Sequence, residues 1–338
     1  MSYVTGASSA ANNAAASSTK GTKEESKSMN VFHLTNKAGD QLSILERGAA
    51  MQRWTTAVGN SKRELILSYA EPDAYAQDPF YLGALVGPYA NRIGKGRLLI
   101  GQQFYQLEQN EGQNQLHGGA AGLHQMNWQV LEQQESRLVL GCEMADGQGG
   151  YPGPVSFRVT YQLSEQSALD VELEASSSVT TLVGPTLHPY FNLAEDQSPI
   201  DEHKLCLHAA HYTSVDAHCI PTGELPKVQG SPLDFSTAKS LTGISMDYNF
   251  VVHGDMHQAA AELISPDGLL RLSVYSDYPG LQVYTGEHLK GPFKARQGIC
   301  LEPQFFPDSP NQKGFPFHFT RPGQPFKAHI RYQLDKAG

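Results

Sequence analysis

The stretch Val155-Ser-Phe-Arg-Val-Thr-Tyr-Gln-Leu163, followed shortly by Leu169-Asp-Val-Glu-Leu-Glu174, decides the fold class. In the first run Val155, Phe157, Val159, Tyr161 and Leu163 alternate with Ser156, Arg158, Thr160 and Gln162; in the second, Leu169, Val171 and Leu173 alternate with Asp170, Glu172 and Glu174. A period of two puts apolar side chains on one face of an extended chain and polar ones on the other, so each run reads as a half-buried β-strand. The short link over residues 164–168 folds them into an antiparallel hairpin.

The same alternation spreads outward. It recurs at Leu270, Leu272 and Val274 after the turn Ser265-Pro266-Asp267-Gly268, in which Pro presets one dihedral and Gly supplies a positive φ. Ile330, Tyr332 and Leu334 close the chain the same way. No long segment carries a helical apolar stripe, so helix is limited to a turn or two near residues 72–77 and 237–241. Without a composition break to mark a linker, residues 30–338 read as one all-β unit, a large antiparallel β-sandwich. In such a fold a ligand site sits on a broad concave sheet face or at loop ends.

Residues 1–29 are mostly Ala, Ser, Asn, Thr and Lys, a composition that cannot bury enough surface to offset ordering, and are predicted to form a disordered tail. The tail lacks the apolar centre of a secretory signal, and nowhere does the chain approach the roughly 18 apolar residues of a membrane span. Glu24 and Glu25 weigh against an organelle transit segment, leaving the cytoplasm as the expected location. A net charge of −9 with 25 dispersed Lys and Arg argues against nucleic-acid and membrane partners and favours a small neutral ligand. Cys142, Cys206, Cys219 and Cys300 form no C-x-x-C pair and read as free, reduced thiols. A monomer or weak homodimer without cofactor or metal is the expectation.

Five segments set polar residues against tight apolar or glycine sequence. In Gly298-Ile-Cys-Leu-Glu302-Pro-Gln304-Phe-Phe-Pro-Asp308-Ser-Pro-Asn311, Glu302 stands between Leu301 and a proline, which forces extended geometry and places it at the end of a strand. It is either a turn-capping acid or a chemical group. In Asn91-Arg92-Ile93-Gly94, an Arg fork beside an amide suits recognition of hydroxyls or carboxylates, or else forms a solvated hairpin. In Leu116-His117-Gly118-Gly119, two glycines let backbone approach a partner closely, although a lone His is also a common structural residue. In Leu187-His188-Pro189-Tyr190-Phe191-Asn192-Leu193, a second pre-proline residue is held extended among aromatics that exclude water. In Met246-Asp247-Tyr248-Asn249-Phe250, an acid sits in an apolar run, as a site residue or as a local Asx turn.

Together with Leu281-Gln282-Val283-Tyr284-Thr285-Gly286, these segments resemble the aldose 1-epimerase (galactose mutarotase) family, whose six motifs occur here in order from Asn91 to Asn311. The resemblance implies a β-supersandwich of the galactose mutarotase type acting on free sugars. It implies Glu302 as general base and His188 as general acid, with Asn91, Arg92, His117, Asp247 and Gln282 binding substrate hydroxyls. Leu187, Pro189 and Tyr248 depart from residues common at those positions in the family, which bears on sugar preference.

The chemistry of anomer exchange agrees. One group takes the proton of the anomeric hydroxyl, another gives one to the ring oxygen, and the roles reverse on closure, so no metal is needed. A carboxylate beside His188 is expected to raise the imidazole pKa and keep the acid charged near neutrality. A glycosidase would instead pair Glu302 with Asp247 or Asp308 and leave the histidines without roles. A hexose-6-phosphate epimerase would need further cations, for which Lys95 and Arg97 are candidates. A catalytically silent sugar-binding protein would have lost the acid or the base. His203, His208, His211, His218, Cys206 and Cys219 invite a zinc reading, but their spacings match no tight tetrahedral motif.

Overall fold

The computed structural model describes residues 29–337; the tail predicted over residues 1–29 lies outside the described residues apart from Met29. Antiparallel strands and tight turns dominate, and helix is confined to short 3₁₀ turns. The opening hairpin forms as read: Val155–Leu163 pairs antiparallel with Ala168–Ser177, with Leu163 opposite Leu169, and every alternating apolar residue of the first strand is buried.

This hairpin lies inside a nine-stranded sheet in which Phe326–Lys336 joins Ala168–Ser177 on one side and Leu270–Ser276 on the other. A four-stranded sheet is built from Val31–Thr35, Gln41–Leu45, Met51–Val58 and Ser61–Glu64. A five-stranded sheet runs in the order Tyr190–Phe191, Ile299–Gln304, Gly280–Tyr284, Asp247–Val251 and His211–Tyr212.

The three sheets meet at Tyr332. Its ring lies 6.4 Å from Trp54 of the four-stranded sheet and 5.2 Å from Phe191 of the five-stranded one, and its hydroxyl donates to Leu301 O at 3.5 Å. Buried rings of this size each remove roughly 150–250 Å² from water, so the strand Ile299–Gln304 is held firmly from behind. Because successive side chains alternate, Ile299 and Leu301 fill that core while Cys300, Glu302 and Gln304 face the other way.

Two local expectations change. The turn of helix near 72–77 is present as the 3₁₀ segment Pro72–Gln77, but over 237–241 the chain adds the strand Lys239–Ser240 to the large sheet, Ser240 pairing with Lys204 and Lys239 with Leu205. Ladder pairing there outweighs a weak local helix preference. Glu302 is not at a strand end but inside Ile299–Gln304, which continues through Pro303. The neighbouring strand Tyr190–Phe191 reaches only Cys300 and Ile299; beyond it Thr186 Oγ1 donates to Pro303 O in place of strand pairing, so the missing N–H forfeits no ladder bond. Among the described residues no helix is long and apolar enough to cross a membrane.

Candidate active site

Strand register writes polar rows across the outer face of the five-stranded sheet. Asn249 stands opposite Gln282 and Gln282 opposite Glu302; one step along, Asp247 stands opposite Tyr284 and Tyr284 opposite Cys300. Directly paired residues project to the same face. Asp247, Gln282 and Glu302 therefore converge although they come from three separate strands. His188 approaches between the short strands Thr186–Leu187 and Tyr190–Phe191, its backbone held by Gly83 N–H donating to its carbonyl and its own N–H donating to Ala84 O, each at 2.9 Å. Asn91 and His117 adopt positive φ and bind each other: His117 N–H donates to Asn91 O at 3.1 Å, and Asn91 N–H donates to His117 Nδ1 at 3.2 Å. A neutral His117 thus carries its proton on Nε2.

All seven residues singled out in the sequence, Asn91, Arg92, His117, His188, Asp247, Gln282 and Glu302, line one cavity of about 260 Å³. That is small beside the ~300–1,000 Å³ of pockets for drug-sized molecules. Glu302 is 2% exposed and His188 5%, with Glu302 Oε1 3.6 Å from His188 Nε2. Arg92 clasps Glu111 bidentately, Nε to Oε2 at 2.7 Å and Nη2 to Oε1 at 2.8 Å, with Asp247 Oδ2 4.0 Å from its Nη1. Gln282 Nε2 donates to Asp247 Oδ1 at 2.6 Å. This leaves Gln282 Oε1 and Glu302 Oε2 buried without a protein partner.

Electrostatics overturns one expectation. Burial, with the charge of His124 adding to it and a backbone hydrogen bond opposing, shifts His188 down to about 4 rather than up. Glu302 is raised well above the ordinary carboxylic range, first by burial and then by the charge of Asp247, with Arg92 opposing. His117 is pushed well below its usual value by burial and by His188 and Arg92. Both members of the His188–Glu302 pair therefore favour their neutral forms.

Sequence reasoning missed Glu111, which occupies the Arg92 fork, and Tyr81, whose ring lies 4.8 Å from His117 and 5.9 Å from His188. Neither carries a local signal: the Arg92–Glu111 pairing depends on folding, and Tyr81 sits in a loop. Leu187, Pro189 and Tyr248 do not line the cavity; Leu187 is a core residue paired with Leu85, and Tyr248 packs on Tyr212. Lys95 and Arg97 line a separate, larger cavity of about 920 Å³ that shares Glu111 with the first. Asp308 lies there too, its carboxylate accepting from Gly94 N, Asn311 Nδ2 and Gln312 Nε2, so it caps a turn. The larger cavity gathers none of the seven residues, and the chemistry is sought in the smaller one.

The second histidine group is dispersed: His203 Nε2 accepts from Leu193 N, His208 meets Glu262, and His218 lines the larger cavity. Among the described residues, one group of three ligand-type side chains comes within 4.8 Å of one another: His188, Cys300 and Glu302. Cys300 Sγ faces Nδ1 of the imidazole and Glu302 faces Nε2, on different sides of the ring, a poor arrangement for one shared ion.

Comparison with known proteins bears on this geometry. The family model described as aldose 1-epimerase matches residues 30–333. The chain is 33% identical over 324 residues to the aldose 1-epimerase of Escherichia coli K12, covering 89% of this chain and 94% of that one. It is 37% identical over 285 residues to the galactose mutarotase of Mus musculus, covering 78% and 81%. Among solved structures, an aldose epimerase homologue from C. elegans superposes with a TM-score of 0.87 at 27% identity, covering 92% of this chain and 100% of that one. Galactose 1-epimerase from Lactobacillus acidophilus NCFM gives 0.83 at 27% identity, covering 94% and 97%. The chain belongs to the aldose 1-epimerase family of isomerases.

Proposed function

We propose that this protein interconverts the α and β anomers of free hexoses such as glucose and galactose, with Glu302 as general base and His188 as general acid. The observation that carries this reading is a buried carboxyl and a buried imidazole 3.6 Å apart in one cavity, on a sheet face lined with hydrogen-bonding groups. Glu302 takes the proton of the anomeric hydroxyl and His188 gives one to the ring oxygen. The ring opens, the C1–C2 bond rotates, and closure reverses the transfers. Each group contributes on the order of 10²–10⁴ in rate.

The proton count makes this work despite the pKa directions. Imidazolium with carboxylate and imidazole with carboxylic acid both hold a single proton. Burial favours the second pair. A sugar brings hydroxyls to the unpartnered Glu302 Oε2 and to His188, solvates the charged pair and moves the proton to the imidazole without exchange with solvent. Asn91, Arg92, His117, Asp247 and Gln282 hold the remaining hydroxyls. The enzyme works without cofactor, as a monomer or weak homodimer in the cytoplasm.

Lys95 and Arg97 lie outside the cavity, and Glu111 stands between them and Arg92, which disfavours a sugar-phosphate substrate. Polarimetry of fresh α-D-glucose and α-D-galactose tests the proposal: equilibration accelerates with protein, and no acceleration of any free aldose would sink it. Preference for glucose 6-phosphate over glucose would replace it with the phosphorylated substrate.

A further inference from the structure

The strand that carries Glu302 presents a second group to the same imidazole. Residues two apart on a strand share a face, so Cys300 and Glu302 grip the two nitrogens of His188, with Sγ 3.5 Å from Nδ1 and Oε1 3.6 Å from Nε2. The pairing of Tyr190 with Cys300 fixes the thiol there. Cys300 is fully buried and does not line the cavity, so the sugar does not touch it. We infer that Cys300 is a positioning residue whose thiol pairs with Nδ1 of His188, setting the orientation and tautomer of the ring and leaving Nε2 to carry the proton that the reaction moves. The inference rests on the reading of His188 as the acid.

Over a catalytic cycle His188 is imidazolium in one half and imidazole in the other. The neutral ring, having given up its proton at Nε2, keeps its N–H at Nδ1, and the imidazolium offers the same N–H. The thiol sulfur accepts from Nδ1 in both states. Burial, followed by the charge of Glu302, pushes the Cys300 pKa well up, so the proton stays on sulfur. A carboxylate at the same place would lock in the imidazolium. Sulfur, a weak acceptor, holds the Nδ1 proton in place without strongly stabilising the imidazolium and leaves Nε2 free to gain and lose its proton. The other groups around the ring are Tyr81, Tyr190 and His117, at 5.9, 5.1 and 5.4 Å between centroids, with His124 acting at longer range. Among the described residues, Cys300 is the side chain that offers Nδ1 a hydrogen-bonding partner, beside the backbone of His188 itself.

Two variants of the full chain separate pairing from packing. Cys300→Val keeps an apolar side chain of similar size without donor or acceptor, and Cys300→Ser restores both. Cys300→Val is expected to lower kcat for free-sugar anomerisation about threefold to tenfold with KM changed less than about twofold, and to displace the pH-profile limb governed by His188. Cys300→Ser is expected to recover most of kcat. Independently of turnover, ¹⁵N NMR should show a displaced His188 Nδ1 resonance in Cys300→Val. Wild-type kcat and pH profile with an unmoved Nδ1 resonance would overturn the inference. So would equal losses in both variants with lowered melting temperatures, since Cys300 would then act through packing alone. If the wild-type protein accelerates no sugar, the proposed function fails, and the NMR measurement still decides the role of Cys300.

Discussion

Replacing Glu302 by Gln separates two consequences of burying a carboxyl in the cavity. Its Oε2 finds no partner within the protein, its Oε1 meets His188 at 3.6 Å, and burial with the charge of Asp247 raises its pKa well above 4.5. Between that ordinary value and the folded value, the unfolded chain has released the proton while the folded chain keeps it. Wild-type stability therefore falls as pH rises, by about 1.4 kcal/mol per pH unit for one proton. An amide of the same shape has no proton to lose. Glu302→Gln is expected to gain on the wild type with that slope from about pH 5 upward until the folded pKa is passed, while loss of the base lowers kcat by about 10²–10⁴. Urea titrations across this range read the first effect and polarimetry reads the second. A stability difference that stays constant with pH would refute a carboxyl held neutral by burial, and wild-type turnover in the variant would refute its role as base.

Histidine burial predicts the opposite slope on the acid side. Desolvation lowers His188 and His203 to about 4, so each contributes stability that is complete above pH 6.5 and lost as pH falls towards about 4, on the order of 3 kcal/mol apiece. Denaturant midpoints should drop between about pH 7 and 5, less so in His203→Gln, and equal drops would contradict this. Gly280→Ala sets a Cβ 2.4 Å from Asn249 Oδ1 and 2.9 Å from Phe306 Cδ1, with an expected loss of about 1–3 kcal/mol in thermal or urea unfolding; an unchanged midpoint argues against that close approach. Arg92→Lys keeps the charge but not the fork that meets Glu111 at 2.7 and 2.8 Å, and KM for galactose is expected to rise about tenfold, whereas a wild-type KM removes Arg92 from sugar binding.

What could be read from the sequence was what chain-local physics determines. Alternation fixes which side of a strand is buried, so the hairpin at Val155 and the final strand through Tyr332 could be placed before folding. The seven residues that line the cavity were found because each lay in a motif of the family, and the cavity gathers all of them. Glu111 was not found, because its meaning comes from meeting Arg92 across a fold and its neighbours carry no signal. The glycines after His117 were read as permitting a close approach. They do, but what approaches is the chain itself: a Cβ on Gly118 would stand 1.9 Å from Gly87 O. The sign of the His188 shift was misread because sequence shows the neighbour and not the depth, and depth prevails here.

Depth also bears on which sugars the cavity admits. Arg92 is the one Arg or Lys among the residues lining it, beside the histidines His117, His188 and His288, and it faces two carboxylates, Glu111 at hydrogen-bonding distance and Asp247 at 4.0 Å. His117 stays neutral through burial, and the His188–Glu302 pair is neutral overall wherever its proton resides. The cavity thus carries an excess of negative charge that the reaction does not alter. On the proposed function, a neutral sugar would enter such a space by exchanging water hydrogen bonds for those of Asn91, Gln282 and Asp247, whereas a sugar phosphate would bring a dianion towards two carboxylates, with Lys95 and Arg97 lining the other cavity that Glu111 shares. The arrangement proposed to pass one proton between Glu302 and His188 without exchange with solvent would therefore also select for uncharged substrates, and it would do so through Glu111, the residue that no motif announced.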